Sequence, residues 1–195
     1  MLYGIDISHH NYDMLTKTML GQAIRQKTDF YIAKATEGKT YVDVCIELWA
    51  NLMPGRLKGW YHYARPENNS PDEEAEHFMK MLGNKIGTGI MVLDWEGEAL
   101  NYDAEWAAEW AEYVYVHTGI KPLIYVQESE VKNMGALLEL DCGLWVAKWS
   151  YGAETPSTGK WPYYALWQYR STPLDRKSTR LNSSHQWKSR MPSSA

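Results

Sequence analysis

The sequence predicts an α/β domain built around a largely parallel, barrel-like sheet. Three observations carry that prediction. Short apolar runs of strand length alternate with longer amphipathic stretches of helix length. Seven such strands occur with few long connections between them. Polar residues gather at the strand ends, as they do when the loops after parallel strands converge on one mouth.

Taken in order, the strands fall at residues 2–7, 30–35, 58–63, 89–95, 122–125, 144–148 and 164–169, with helices between them at 17–26, 42–53, 72–82, 104–117 and 129–138. The clearest helix start is the third. Ser70-Pro71 precedes it, and Asp72-Glu73-Glu74 places acids at the positive end of the helix dipole. The strand at 89–95 has the purest core, Ile90-Met-Val-Leu93. No internal repeat is evident.

With 195 residues the chain is long enough for one sizeable domain. Its aromatics are skewed, with ten Trp and fourteen Tyr against two Phe. Trp and Tyr join an apolar face to a polar handle, which suits a wet surface that grips ring-shaped ligands such as sugars. Met1-Leu-Tyr-Gly-Ile-Asp6 is not a basic leader followed by an apolar run, so synthesis in the cytoplasm without a signal peptide is expected. No stretch reaches membrane-spanning length. Cys45 and Cys142 have neither zinc nor redox spacing and read as reduced, buried thiols. No histidine array for a metal is seen. His9 and His10 are neighbours that an extended chain would point opposite ways, so no metal and no cofactor is expected.

Residues 175–195 change character, being rich in Ser, Lys and Arg without helical or strand periodicity. Residues 175–185 and 189–195 read as translations of the constant segments of a short-read sequencing adapter. The expected domain is therefore 1–174, followed by a disordered, adapter-derived tail. Without the tail the formal net charge moves from −4 to −8. That leaves no basic patch for nucleic acid or anionic lipid.

The chemistry concentrates at Asp94-Trp-Glu96, where the fourth strand runs into two carboxylates at i and i+2. Alternate residues of a strand share a face, so the two acids would stand about 7 Å apart. Repulsion and partial burial then favour one protonated and one ionised carboxyl, the pairing that cleavage of a glycosidic bond needs. Asp6 and Ser8 follow the first strand, residues 34–37 end the second, and Tyr61 and Tyr63 end the third. Four strand ends thus point to one site.

Seven segments, in order, resemble the glycoside hydrolase family 25 lysozymes, the Chalaropsis-type muramidases common among phage endolysins. They are Gly4-Ile-Asp6-Ile-Ser8-His-His-Asn11, Tyr31-Ile-Ala-Lys34-Ala-Thr-Glu37-Gly38, Gly59-Trp-Tyr61-His-Tyr63, Leu93-Asp94-Trp-Glu96, Pro122-Leu-Ile-Tyr125, Leu144-Trp-Val-Ala-Lys-Trp149 and Leu166-Trp167-Gln168-Tyr169. The resemblance implies an irregular, TIM-like (β/α)5(β)3 barrel. It also implies hydrolysis of the β-1,4 bond between N-acetylmuramic acid and N-acetylglucosamine in peptidoglycan. By motif, Glu96 corresponds to the general acid and Asp94 to the partner that orients the substrate acetamido group. Asp6 corresponds to the acid that holds Glu96, with an inverting route in which it activates water left open.

Tyr61, Tyr63, Tyr125 and Trp149 are candidates for sugar contacts, Lys34 for a substrate carboxylate or for pairing with Glu37, and Gln168 for a hydrogen bond across the mouth. The family closes its barrel with a last strand carrying a further acid. Here Asp175 falls where the adapter begins, so that strand is expected to be missing or replaced by the non-native tail. The resemblance implies a monomer that meets the cell wall after holin-type release or lysis. Two other readings stay open: a catalytically silent glycan-binding protein of the same fold, and a barrel hydrolase acting on chitin.

Overall fold

The computed structural model describes residues 2–150, 154–170 and 179–181. Strands β1 (Leu2–Ile7) and β2 (Phe30–Glu37) pair in parallel, and β3 (Tyr41–Val42) folds back antiparallel on the end of β2. The parallel ladder continues from β2 through β4 (Leu57–Tyr63), β5 (Ile90–Asp94), β6 (Leu123–Gln127), β7 (Gly143–Ala147) and β8 (Leu166–Gln168). A last strand, β9 (Thr179–Leu181), runs antiparallel to both β8 and β1, so the ladder returns to where it began. The fold is mixed α/β with a curled, mostly parallel sheet, as the sequence predicts.

Of the two outcomes expected for the last strand, missing or replaced by the tail, the structure has three residues of the tail in its place as β9. The physical reason is the gap itself. Without β9, β1 and β8 would face each other with open rows of N–H and C=O groups, which three extended residues satisfy.

Helices α1 (Tyr12–Lys17), α2 (Met19–Lys27), α3 (Ile46–Leu52), α4 (Pro71–Leu82), α5 (Ala104–Thr118) and α6 (Gly135–Glu139) pack around the sheet. The single helix expected at 17–26 is two. Thr18 is extended (φ −116°, ψ 152°), and its hydroxyl starts α2 by accepting from Gly21 N at 2.9 Å. The helix expected at 42–53 begins only at Ile46, because Tyr41 and Val42 pair with β2 and Asp43 accepts from Cys45 N at 2.8 Å. The weak helix at 129–138 resolves into a 3-10 turn, Glu128–Asn133, followed by α6. His9 and His10 do not point opposite ways. They sit in the 3-10 turn His9–Asn11, which brings their ring centroids to 3.8 Å.

Two apolar layers hold the fold. Inside the curl, Phe30, Ile32, Val92, Leu123, Trp145 and Leu166 form one cluster. Outside it, Trp49, Trp60, Phe78 and Trp110 are fully buried beneath the helices. Burying each such side chain contributes roughly 1.5–3 kcal/mol. One buried polar network ties β4 to α4. Thr36 Oγ1 meets His62 Nδ1 at 2.7 Å, and His62 Nε2 meets Glu74 Oε2 at 2.7 Å. Glu74 also accepts from Asn69 Nδ2 and Arg65 N, which fixes the β4–α4 loop. Cys45 and Cys142 are buried and free. No helix among the described residues is long and apolar enough to cross a membrane.

Candidate active site

The register of three strands builds the centre of the site. Tyr63 lies opposite Asp94, and Asp94 lies opposite Tyr125, so these side chains form one row across β4, β5 and β6. Beyond Asp94 the ladder holds for one more residue, Trp95 N donating to Tyr125 O at 3.0 Å, and Glu96 stays extended (φ −148°, ψ 179°). Alternation therefore persists, which keeps Asp94 and Glu96 on the same side at a spacing of about 7 Å. Trp95 turns the other way and buries against Trp106. Gly97 then takes a left-handed backbone (φ 61°), and a Cβ there would lie 2.6 Å from the Tyr63 hydroxyl. Tyr63 is thus packed against the backbone that follows Glu96.

Gln168 joins the opposite wall. Its Nε2 donates to Asp6 Oδ2 at 2.9 Å, while its Oε1 accepts from Tyr125 OH and Trp149 Nε1, each at 2.9 Å. Two donors on the oxygen and a carboxylate on the nitrogen leave one orientation for the amide. Gln168 is 4% exposed and Asp6 8%, whereas Trp149 is 59% exposed. The indole is pinned at its polar edge and leaves its flat apolar face open to solvent.

The carboxylates also act on the tyrosines at a distance. Burial pushes the Tyr61 hydroxyl well above its usual range, and Asp94, Asp6, Asp43 and Glu96 push it further. Burial likewise raises Tyr125, reinforced by Glu96, Asp94 and Asp6. Tyr63 is pushed up to about 12, by burial first and then by Asp94 and Glu96. All three phenols therefore remain neutral O–H donors, set around a cluster of acids.

Lys34 pairs with Glu37, one of its two expected roles. A bulge between Lys34 and Thr36 shifts the register against β4, so that Lys34 faces Tyr61 and Glu37 faces Tyr63. The extra residue returns Glu37 to the face of Lys34, and the two form an ion pair. Arg65 joins it, with Nη2 2.5 Å and Nε 2.7 Å from Glu37 Oε1. Burial alone would raise the Glu37 carboxyl, but hydrogen bonds from Lys34 and Arg65 prevail and hold it below its ordinary value. The Tyr63 ring receives both cations, Lys34 Nζ at 4.9 Å and Arg65 Cζ at 4.8 Å from its centroid.

Asp6, Asp94, Glu96, Tyr61, Tyr63, Tyr125, Trp149, Lys34 and Gln168 thus meet at one end of the sheet, while Asp175 falls outside the described residues. Arg65 escaped the sequence reading, although strand alternation from Tyr61 and Tyr63 continues to it. Asp43 also escaped it and had no local signal. It is buried, accepts from His9 N at 2.8 Å, and lies 3.2 Å from His9 Nδ1, which in turn is 3.0 Å from Tyr41 OH. Chemically, the cleft offers several carboxyls of differing burial, neutral phenols and an exposed indole. Among the described residues no group of three metal-ligating side chains comes together.

The model of the glycosyl hydrolases family 25 matches residues 5–176. An N,O-diacetylmuramidase from a Chalaropsis species is 26% identical over 162 residues, which cover 71% of this chain and 75% of that protein. Lysozyme M1 from Streptomyces globisporus is 24% identical over 186 residues, 87% of this chain but only 62% of that protein's length. Among solved structures, a muramidase from Trichobolus zukalii superposes with a TM-score of 0.75 at 26% identity, covering 94% of this chain and 95% of that one.

Proposed function

The chain belongs to glycosyl hydrolase family 25, and from that premise we propose that it is a muramidase cleaving the β-1,4 bond between N-acetylmuramic acid and N-acetylglucosamine in peptidoglycan. Glu96 is the general acid that protonates the leaving glycosidic oxygen. Asp94, two residues earlier on the same face, orients the acetamido group so that its carbonyl oxygen attacks the anomeric carbon. This is substrate-assisted retention, in which neither carboxylate forms the covalent bond. Asp6, fixed by Gln168, is a positioning residue that keeps the field around Glu96 in place. Tyr61, Tyr63 and Tyr125 supply O–H donors, and Trp149 supplies a stacking face. The chain acts as a monomer on the cell wall after release, with glycan strands as its partner.

The observation that carries this reading is the Gln168 hub. One amide joins Asp6, Tyr125 and Trp149, and Tyr125 sits directly across the ladder from Asp94. Digestion of purified peptidoglycan followed by mass spectrometry of the fragments tests the bond. Muramic acid at every new reducing end is expected, and glucosamine at those ends would contradict the proposal.

A further inference from the structure

Beside the acids stand two cations, Lys34 and Arg65. Lys34 and Arg65 share the carboxylate of Glu37, and Arg65 Nη1 also lies 3.7 Å from Glu67 Oε1, so the trio's one positive charge is balanced at its outer edge by Glu67. Its parts are confined: the Lys34 side chain is 13% exposed, Glu37 23% and Arg65 36%. Three separate devices place it. The bulge after Lys34 brings Glu37 to the inner face. The buried Glu74 accepts from Arg65 N and holds the start of its loop. Tyr41 flanks Lys34, whose Nζ is 5.3 Å from its ring centroid. The trio is one ring away from the reacting end, because Tyr63 contacts both cations and its hydroxyl packs against Gly97, next to Glu96.

We propose that Lys34 and Arg65 form the site that reads the carboxylate carried on the muramic acid side chain, making them the residues that select muramic acid over plain N-acetylglucosamine. The inference rests on the muramidase reading above and gives its specificity a location. Muramic acid differs from N-acetylglucosamine by its lactyl ether, which ends in a carboxylate or in a peptide that bears carboxylates. A lysine and an arginine fork carry eight N–H donors between them, and Glu37 and Glu67 together use only some of them. Glu37 keeps the two cations in register and spares them mutual repulsion before substrate arrives. Chitin offers this site nothing to bind.

The test compares kcat/KM for the wild type, Arg65→Gln and Lys34→Gln on soluble glycans of equal length. One alternates N-acetylglucosamine with muramic acid bearing a free lactyl group, one is the same glycan with the lactyl group amidated, one carries the stem peptide, and one is a chitooligosaccharide. Each variant serves as its own control, because ratios between substrates are unaffected by a loss of folded enzyme. The wild type is expected to prefer the free lactyl or the peptide-bearing glycan over the amide by about tenfold, with the difference in KM, and each variant to lose that preference. Preference for the free lactyl assigns the site to the lactyl carboxylate, and preference seen only with the peptide attached assigns it to the peptide. Variants that keep the wild-type ratios overturn the inference while leaving the muramidase reading intact. A folded wild type that cleaves none of the glycans overturns both.

Discussion

Gln168 and Asp6, 162 positions apart in the chain, are joined by a 2.9 Å hydrogen bond from the amide nitrogen to the carboxylate. The bond places the first strand's acid at a fixed point beside the row formed by Tyr63, Asp94 and Tyr125. Gln168→Ala removes a donor to Asp6 and the acceptor of two other groups, all but Trp149 buried. Leaving such groups unmatched costs about 1–3 kcal/mol. A lower melting temperature together with reduced kcat is expected, and thermal unfolding beside a turnover assay measures both.

Asp94→Asn keeps the shape and removes the charge proposed to orient the acetamido group. A loss of about 10²–10³ in kcat with little change in KM is expected. The wild type should release the β-anomer first, visible by proton NMR before mutarotation. An α-anomer as first product would place the reaction on the inverting route.

Gly97→Ala attacks the site through the backbone. The left-handed conformation costs a residue with a Cβ roughly 1–2 kcal/mol, and the new methyl would collide with the Tyr63 hydroxyl. Activity should fall further than stability does, because Tyr63 and Glu96 are both displaced. Equal melting temperature and activity to wild type would show that the contact is unimportant.

The His62–Glu74 pair predicts how stability depends on pH. Burial lowers the His62 pKa from its ordinary 6.5, an effect its hydrogen bond to Glu74 opposes without overcoming. Above the unfolded-state value both forms are neutral and the contribution is whole. As pH falls through it, the unfolded chain takes a proton that the folded chain refuses, and stability declines until the lower folded value is reached. Melting temperatures should fall as pH drops below about 6.5, and His62→Gln should flatten that slope by at most one proton.

The sequence made much of this legible, and what it missed has physical causes. Runs such as Ile90-Met-Val-Leu93 announce themselves because strands buried on both faces are continuously apolar. Asp94 and Glu96 were readable because two-residue periodicity survives past the end of the ladder. The bulge at Lys34/Thr36 was not readable: nothing in Lys34-Ala-Thr-Glu37 marks the extra residue, and without it Glu37 would be placed on the wrong face. Thr18, which splits α1 from α2, acts through a hydroxyl bond that competes with the helix ladder locally. Strand β9 is set by the empty edges of β1 and β8, a tertiary demand that its own residues do not signal.

Truncation after residue 174 tests that demand. It removes β9 and leaves the edges of β1 and β8 open, so a lower melting temperature and greater aggregation are expected. An unchanged melting temperature would mean that Thr179–Leu181 contributes nothing to closing the sheet.

The most direct measurement is the rate of reducing-end release from peptidoglycan by the wild type and by Glu96→Gln, with circular dichroism confirming that both are folded. Loss of a general acid predicts a fall in kcat of about 10²–10⁴ with the melting temperature nearly unchanged. A folded Glu96→Gln variant that retains wild-type turnover would contradict the assignment of Glu96 as the proton donor.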